Sequence, residues 1–478
     1  MTLPSPGTAP SRTAGPATVL AVLLAAGVSF ALAQTLVLPA LAVLGREYGA
    51  GQTATSWIVT GFLLSASVST PIIGKLGDLY GKGRVLTVVL TLFAVGGTIN
   101  ALSGSIEVVI AGRVLQGVAA GVFPLSFGIT RDTFPRERVP GAISLVSSVF
   151  GVGAGIGLPM SGVIVDHTHP SVVFWLSLVA VPAAVAAHLT IPRTPAVQGM
   201  RIDWVGALLL SGALALLLLG VTQAPALGWG SPANVGLLLG GLALLVAWVL
   251  VEKRVPQPLI ELSVLAQPAV AATNLTGLLT GLAMFSGYLL IPQIAQAPTS
   301  TGYGLGATVT VAGLLLAPSA VGQLVAGPVA GRLGVRVGFR TTLVIGSLLS
   351  CSSFTLLSLL HREAWHLALG GLLLGAGIAF AFASMANLIV AAVDQREVGI
   401  ATGINTVTRT VGGAFGTAGS TAVLAGTVGA AGLPSDGGYR AAFGLAAVLA
   451  LLAAGSALRI PRGPVAGVDA GDRGRGGT

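Results

Sequence analysis

The chain of 478 residues is short of charge, because only 8% of its residues are Asp, Glu, Lys or Arg. Soluble globular proteins carry about 25% of such residues. In this chain 54% of the residues are hydrophobic, and the mean hydropathy is +0.91. No soluble core could absorb so much apolar sequence with so little charge. The composition therefore excludes an ordinary soluble protein and predicts a polytopic membrane protein.

Cysteine is nearly absent as well. Cys351 is the single one, which excludes an internal disulfide framework and a cysteine-based metal cluster. We expect Cys351 to be a passive helix residue, and we expect no cofactor and no metal. The net charge of +9 would suggest a nucleic-acid partner in a soluble protein. In a membrane protein, attraction to the surface of the lipid bilayer explains the excess of basic residues, and we expect no nucleic-acid partner.

Long apolar stretches make up most of the chain. A bilayer core of about 30 Å needs ~20 helical residues at ~1.5 Å per residue, and fourteen apolar stretches of about that length occur in the chain. Numbered in chain order as spans 1 to 14, they are 17–44, 56–73, 85–103, 108–129, 141–165, 172–191, 204–222, 234–251, 269–291, 307–330, 341–360, 365–393, 398–425 and 441–458. The predicted fold is all-α, with two six-helix bundles and two extra helices. The predicted divisions are a disordered cytoplasmic tail at 1–16, an N-terminal bundle at 17–191, a linker with the two extra helices at 192–268, a C-terminal bundle at 269–458 and a disordered cytoplasmic tail at 459–478.

A faint internal repeat supports two related halves. The range Gly74–Gly81, after span 2, has the same glycine spacing as Gly327–Gly334, after span 10. Residues 137–139, before span 5, resemble residues 396–398, before span 13. Spans 1 to 6 and 9 to 14 are therefore predicted to be two related six-helix bundles.

The distribution of basic residues predicts the orientation. With a cytoplasmic N-terminus, 19 Lys and Arg residues lie inside and 3 outside, and two lie within helices. Cytoplasmic loops collect Lys and Arg, so both termini are predicted to be cytoplasmic in a cell membrane. The range Arg12–Gln34 resembles a signal peptide with a cleavage-like Ala31-Leu32-Ala33 step. Its apolar run continues to Leu44, which favours a retained first span.

A charged, glycine-rich turn at residues 74–84 follows the second span. Its glycines permit a tight turn and a close approach of helices. Asp78 can interact with a helix N-terminus or a basic partner across the interface between the halves. We predict a latch on the cytoplasmic side, with an ordinary solvated loop as the alternative. The gating candidates are Gly74, Leu76, Asp78, Gly81, Lys82 and Arg84.

At these residues the chain resembles the major facilitator superfamily, and more narrowly its fourteen-span drug:proton antiporters of the EmrB/QacA type. The turn matches the superfamily pattern G-x-L-x-D-x-x-G-[RK]. Span 4 carries Arg113-Val114-Leu115-Gln116-Gly117, which is similar to the helix-4 motif of the family. The resemblance implies that Arg113, Gln116 and Gly117 lie near the path of protons and substrate.

Two arginines fall inside predicted spans, Arg113 in span 4 and Arg409 in span 13. An arginine at the centre of a membrane helix costs ~2.5 to 3.5 kcal/mol and generally faces a cavity or a partner. Arg113 is close enough to the outer end of span 4 for snorkelling to be an alternative. Arg409 is too deep for that, and we expect it either to recognise a polar or anionic substrate group or to bridge helices.

Span 5 is rich in glycine and resembles the helix-5 signature of antiporters, which is associated with export. Its i, i+4 glycine pairs let a neighbouring helix approach closely and slide, and its proline offers a bend. Leu158 splits the usual Gly-Pro step of that signature, and a role in packing alone is the alternative. The residues concerned are Gly151, Gly153, Gly155, Gly157, Pro159 and Gly162.

No carboxylate lies at the centre of a predicted span, because all fifteen acids fall in loops, tails or helix ends. Many relatives carry an Asp in helix 1 as a candidate proton carrier, whereas this chain has Ala33 or Gln34 there. If protons are coupled, the remaining candidates are Asp166, Asp78 and His188.

Scattered polar residues within the spans can supply sparse hydrogen bonds in a largely apolar cavity, although each can equally hold two helices together. These candidates are Gln34, Gln116, Asn274, Gln323, Asn387 and Asn405.

The resemblance and the apolar spans together predict a secondary active exporter of hydrophobic or amphiphilic compounds, driven by proton antiport with alternating access. The expected partners are a small-molecule substrate, protons and the lipid bilayer, and we expect a monomer. Two alternatives stay open: an uptake facilitator or symporter for a small metabolite, and a membrane scaffold or receptor without transport. An enzyme is not expected, since no nucleophile–base pair is apparent at helical spacing.

Overall fold

The computed structural model describes residues 15–192, 203–395, 397–429 and 432–461. Nearly all of the two predicted tails lies outside these ranges. Within them the chain forms fourteen long helices and, apart from an isolated bridge between Val428 and Pro434, no β-structure. The helices are α1 (Pro16–Glu47), α2 (Gln52–Tyr80), α3 (Lys82–Ala101), α4 (Ile106–Thr133), α5 (Val139–His167), α6 (Val172–Thr190), α7 (Trp204–Leu227), α8 (Pro232–Glu252), α9 (Pro268–Gln296), α10 (Val309–Val337), α11 (Phe339–Leu359), α12 (Ala364–Ala392), α13 (Val398–Ala425) and α14 (Asp436–Ala457).

The helices are long enough to cross a membrane. Twelve of them meet that requirement by both length and composition within the described residues. The other two are α5, with 29 residues, and α13, with 28, and each is about 42 Å long at ~1.5 Å per residue. The prediction of an all-helical, polytopic membrane protein is therefore confirmed.

The glycine-rich segment at 74–84 is not the loop that the sequence suggested. Residues 74–80 continue α2 as helix, and Gly81 alone separates α2 from α3. Its φ of 94° lies in the left-handed region that favours glycine. The expectation of a turn was wrong because glycine and charge are typical of loops, whereas tertiary packing keeps these residues helical.

The internal repeat also has a different register from the one predicted. Gly338 ends α10 with a φ of 88°, directly before α11, as Gly81 does between α2 and α3. Gly81 therefore corresponds to Gly338, and the range Gly74–Gly81 corresponds to 331–338 rather than to Gly327–Gly334. Glycines recur through this part of α10, so spacing alone does not fix the register.

Helices from the two ends of the chain pack against each other along several lines. α5 packs along α10 and α12, and α2 packs against α13, while α1 lies against α5. α7 and α8 pack mainly on each other, and α7 also touches α2 and α13. One apolar core surrounds Phe62 and Phe123, and a second surrounds Phe354 and Phe443.

Contacts between helix ends place the connections after α2, α4, α6, α8, α10 and α12 at one end of the bundle. We call this end the Asp78 face. The remaining connections form the opposite face.

Candidate functional site

Asp78 lies where α2 meets the beginning of α13. Its carboxylate is buried, and Oδ2 is 3.4 Å from the position that a Cβ on Gly399 would take. A Cβ on Gly74 would lie 2.8 Å from the carbonyl of Gly399, so the two helices touch through glycine backbone. Among the described residues neither Asp78 oxygen accepts a hydrogen bond, and Lys82 Nζ is 3.6 Å away. The carboxylate thus faces the positive end of the α13 dipole.

A chain of polar contacts extends from Lys82 across the Asp78 face. Lys82 Nζ donates to Asp132 Oδ2 at 2.8 Å, and Gln395 Nε2 donates to Asp132 Oδ1 at 2.7 Å. Arg131 Nη1 donates to the carbonyl of Val393 at 2.9 Å. These bonds tie α3 and α4 to the connection between α12 and α13, so the Asp78 face is closed in this structure.

The remaining members of the segment have different surroundings. Leu76 is half-buried and packs on the core around Phe62. Arg84 is exposed. The closing contacts are therefore made by Gly74 and Asp78 directly and by Lys82 through Asp132.

Arg113 is fully buried in α4, at 1% exposure. Its Nε donates to the carbonyl of Ile58 at 3.2 Å, and Nη1 donates to the carbonyl of Ala33 at 3.2 Å and to Gln116 Oε1 at 3.1 Å. Its Cζ lies 4.2 Å from the centre of the Phe62 ring. The guanidinium points into the helix bundle and does not snorkel, and it connects α4 to α1 and α2.

The charge of Arg113 is stabilised by dipoles rather than by an acid. No ion pair among the described residues includes it. Gln116 Oε1 also accepts from Asn100 Nδ2 at 3.1 Å. A Cβ on Gly117 would lie 2.5 Å from the carbonyl of Phe62, so this glycine lets α4 approach α2.

Arg409 is the second buried arginine, in α13. Its Nη1 donates to Asn405 Oδ1 at 2.8 Å, and Nη2 donates to Thr406 Oγ1 at 3.4 Å. Its Cζ lies 4.2 Å from the centre of the Phe382 ring. Asn405 Nδ2 donates in turn to Asn274 Oδ1 at 3.1 Å. This network links α13 to α9 and α12.

Arg409 borders a cavity of about 110 Å³ between α1 and the helices of the C-terminal part. Gln34 lines it from α1 and Gln323 from α10, where Gln323 Nε2 donates to Tyr288 Oη at 3.1 Å. Most of the lining is apolar or aromatic. The other lining residues are Ala31, Thr35, Met284, Phe285, Phe382, Thr406 and Thr410.

The cavity is small for an organic substrate. Sites for drug-sized ligands measure about 300 to 1,000 Å³, and a water molecule in the liquid takes about 30 Å³. The cavity as described therefore has room for a few waters, and a drug-sized compound requires α1 to separate from the helices that carry Arg409.

The glycine-rich helix α5 contacts both α1 and α10. Thr35 Oγ1 donates to the carbonyl of Gly153 at 2.5 Å, and a Cβ on Gly153 would collide with the backbone of Ala31. A Cβ on Gly162 would lie 2.9 Å from Thr310 Oγ1 of α10. Gly157 faces Thr35 and Pro159 lies within the helix. Gly151 and Gly155 lie in α5, but their surroundings are outside what the structure describes.

Two other candidates, Asn387 and His188, lie apart from the cavity. Asn387 Nδ2 donates to Ser144 Oγ at 3.3 Å, to the carbonyl of Pro140 at 3.4 Å and, within α12, to the carbonyl of Ala383, so it joins α12 to α5. His188 is exposed on α6. Asp166 lies in α5, and its side chain is outside the described part of the structure.

Sequence reasoning missed the aromatic side of the cavity. Tyr288, Phe285 and Phe382 line it, but aromatic residues in an apolar span carry no local signal that separates a cavity from a core. Thr35 was missed for a similar reason, since a threonine in a helix commonly bonds its own backbone.

The family profile described as Major Facilitator Superfamily matches residues 23–204 and 273–475. These segments cover more than half of the chain. The chain belongs to the Major Facilitator Superfamily. It is accordingly a multi-pass membrane transporter of small molecules and not an enzyme. The residues between the matched segments contain α8 and all of α7 except its first residue, Trp204.

Individual proteins are also similar to this chain. The tetracenomycin C resistance and export protein of Streptomyces glaucescens is 30% identical over 418 residues, which cover 86% of this chain and 76% of that protein. A probable actinorhodin transporter of Streptomyces coelicolor is 29% identical over 477 residues, covering 93% of this chain and 80% of that protein. The crystal structure of the human organic anion transporter MFSD10 (TETRAN) superposes with a TM-score of 0.63 at 18% identity, covering 94% of this chain and 100% of that one, which shows the fold.

Proposed function

We propose that this chain exports hydrophobic or amphiphilic compounds, such as a drug, an antibiotic or a natural product. The observation that carries the proposal is the cavity beside Arg409, whose lining is mostly apolar with a few hydrogen-bonding groups and one cation. A cavity of this kind suits amphiphilic aromatic compounds, whereas a sugar site needs a higher density of polar groups. The names of the two Streptomyces relatives, which refer to tetracenomycin C and actinorhodin, support the same substrate class.

The closed Asp78 face supports a mechanism of alternating access. In this proposal residues 17–191 and 269–458 form two bundles that rock about the cavity, and α7 and α8 form an extra pair in the linker at 192–268. The interaction of Asp78 with the N-terminus of α13 exists only while that face is closed. Such an interaction contributes about 0.3 to 2 kcal/mol, which is enough to bias the equilibrium between two states without locking it.

We also propose that proton influx drives export. Arg113 donates to the carbonyl of Ala33 in α1, the region in which the resemblance leads one to expect an acid that this chain lacks, so a coupled proton must bind elsewhere. Asp78, Asp166 and His188 remain candidates by sequence, and of these Asp78 is the one that the structure describes as buried.

Efflux measurements test the proposed function. Cells with and without this protein are loaded with a panel of hydrophobic dyes and antibiotics, with and without a proton uncoupler. An exporter lowers retention of some compounds, and the uncoupler abolishes the difference. Higher retention in cells that contain the protein would indicate uptake, and equal retention of every compound would favour a scaffold or receptor.

Arg409→Ala is expected to change the spectrum of exported compounds more than the overall rate. The substitution removes a cation from the cavity, so compounds with an anionic or hydrogen-bond-accepting group lose export by about tenfold or more, given that a hydrogen bond to a charged group contributes about 1.5 to 3 kcal/mol. Neutral apolar compounds keep their rates. The measurement is the rate of efflux for each compound of the panel, and an equal reduction for every compound would contradict a role in recognition.

Both termini are proposed to be cytoplasmic, and labelling on either side of α8 tests this orientation. Trp229 is exposed on the opposite face and Arg254 on the Asp78 face. In a Cys351→Ser background, Trp229→Cys is expected to react with an impermeant thiol reagent in intact cells. Arg254→Cys should react only after permeabilisation. The reverse pattern, or equal labelling of both, would contradict the orientation.

A further inference from the structure

Two buried carboxyl groups meet where α7 begins and α8 ends. Asp203 directly precedes α7, and its Oδ1 accepts from the backbone N–H of Gly206 at 2.9 Å. Glu252 is the last residue of α8, and its Oε1 accepts from the backbone N–H of Ile260 at 2.6 Å. The two residues are 9% and 3% exposed. One oxygen of each carboxyl group therefore already accepts a hydrogen bond from the backbone.

The other two oxygens, Asp203 Oδ2 and Glu252 Oε2, converge beside Gly206, in the space that a side chain at that position would fill. A Cβ at that glycine would collide with Asp203 Oδ2 and would lie 2.7 Å from Glu252 Oε2. The two carboxyl groups are within hydrogen-bond reach of each other. Among the described residues neither Oδ2 nor Oε2 has a hydrogen-bond donor.

A single proton between Asp203 Oδ2 and Glu252 Oε2 would remove the repulsion and give both oxygens a hydrogen-bond partner. Two ionised carboxylates at this separation and depth repel each other and leave two buried acceptors without donors, which is a costly state. A proton on either oxygen gives a hydrogen bond between them and removes one of the two charges. With the two backbone N–H groups, all four oxygens then have a partner.

The charged groups around the pair do not replace that proton. Lys75 of α2 is the cation that acts on Glu252, and its Nζ donates at 3.3 Å to the carbonyl of Pro258. For Glu397, which precedes α13, burial and the negative charges of Glu261 and Asp394 raise the pKa on balance, although interaction with Lys75 lowers it. Lys253 and Arg254, which follow α8, are exposed. Among the described residues, Lys75 is therefore the cation that acts on this group of acids.

We propose that Asp203 and Glu252 form a proton-binding site in which one proton is shared between Asp203 Oδ2 and Glu252 Oε2 at neutral pH. The proton holds the connection 253–261 against α7, and Lys75 joins the same connection to α2 close to the Asp78 contact. Loss of the proton leaves two negative charges beside one lysine, and the connection separates from α7. The site thus makes the attachment of α7 and α8 to the Asp78 face depend on pH.

Infrared spectroscopy of the purified, full-length protein tests the site directly. At pH 7 the wild type is expected to show the carbonyl stretch of a protonated carboxyl group, which shifts in D2O and disappears as the pH is raised. Glu252→Gln and Asp203→Asn should each lose this band, because the amide donates to the remaining carboxylate in place of the proton. Asn is also a good helix N-cap, so α7 keeps its start.

Glu261→Gln is the matched control, since Glu261 is an exposed acid of the same connection. It should keep the band. The proposal is overturned if the wild type shows no protonated carboxyl band at pH 7, or if Glu252→Gln and Asp203→Asn keep the same titrating band as Glu261→Gln.

Thermal unfolding supplies a second readout. A proton that the folded state binds and the unfolded state has released adds stability, and this stability is lost as the pH rises. The Tm of the wild type and of Glu261→Gln is therefore expected to fall as the pH is raised through the range in which the infrared band disappears. In Glu252→Gln this part of the pH dependence should be absent. An unchanged pH profile in Glu252→Gln would contradict the shared proton.

Discussion

Arg113→Ala is expected to abolish export, and Arg113→Lys to retain part of it. The guanidinium donates to the carbonyls of Ile58 and Ala33 and to Gln116, and it lies over the ring of Phe62. Alanine removes all of these contacts and the charge. Lysine keeps the charge but lacks the planar guanidinium, so it cannot donate hydrogen bonds to the carbonyls of α1 and α2 at the same time.

The expected effect is large. A hydrogen bond to a charged group contributes about 1.5 to 3 kcal/mol, and each ~1.4 kcal/mol changes a rate by about tenfold. Loss of one such contact, as in Arg113→Lys, should reduce export about ten- to hundredfold, and loss of three should leave none detectable. Insertion should be unaffected, because alanine is easier to bury than arginine.

The measurement is the initial efflux rate at matched amounts of protein in the membrane. Arg336→Ala is the control, because Arg336 is an exposed arginine of α10 and this variant should export normally. Full export of every compound by Arg113→Ala would leave Arg113 as a structural feature and would refute its role in transport.

Asp78→Asn is expected to insert normally and to lose most of its export. Asparagine keeps the size of the side chain but removes the charge that faces the N-terminus of α13. The closed state of the Asp78 face is then less stable by about 0.3 to 2 kcal/mol, so the transporter spends less time with its cavity open to the other side.

Gly74→Ala should give the same loss by a different route. Its new methyl group would lie 2.8 Å from the carbonyl of Gly399, so α2 and α13 cannot close fully. Gly419→Ala is the matched control in α13, because a Cβ there meets no atom within 4 Å among the described residues. Wild-type export by both Asp78→Asn and Gly74→Ala would show that the contact does not control the transport cycle.

Much of the fold could be predicted from the sequence, because a membrane span needs a long apolar stretch and such stretches can be counted. The helical continuation of residues 74–80 could not, since glycine and charge locally favour a turn, whereas these residues pack on α13, on α4 and on the core around Phe62. The correspondence of Gly81 with Gly338 required their backbone angles.

The candidate site was predictable where its chemistry contrasts with its surroundings. Arg113 and Arg409 stand out as charges in apolar spans, and the structure buries both. Tyr288 and Phe382 do not stand out, because aromatic residues are ordinary in such spans. Asp203 and Glu252 are far apart in the sequence. One precedes α7 and the other ends α8, so no local pattern could indicate that they meet.

Transport into reconstituted vesicles with an imposed pH gradient tests the central claim, which is proton-driven export of hydrophobic compounds. The probe is the compound with the highest efflux rate in the cell panel. With an acidic lumen, protons leave as substrate enters, so the account predicts accumulation in the lumen that a proton uncoupler or a reversed gradient removes, and none with Arg113→Ala. Accumulation that is the same with and without the pH gradient, or that is greater with an alkaline lumen, would contradict proton-driven export.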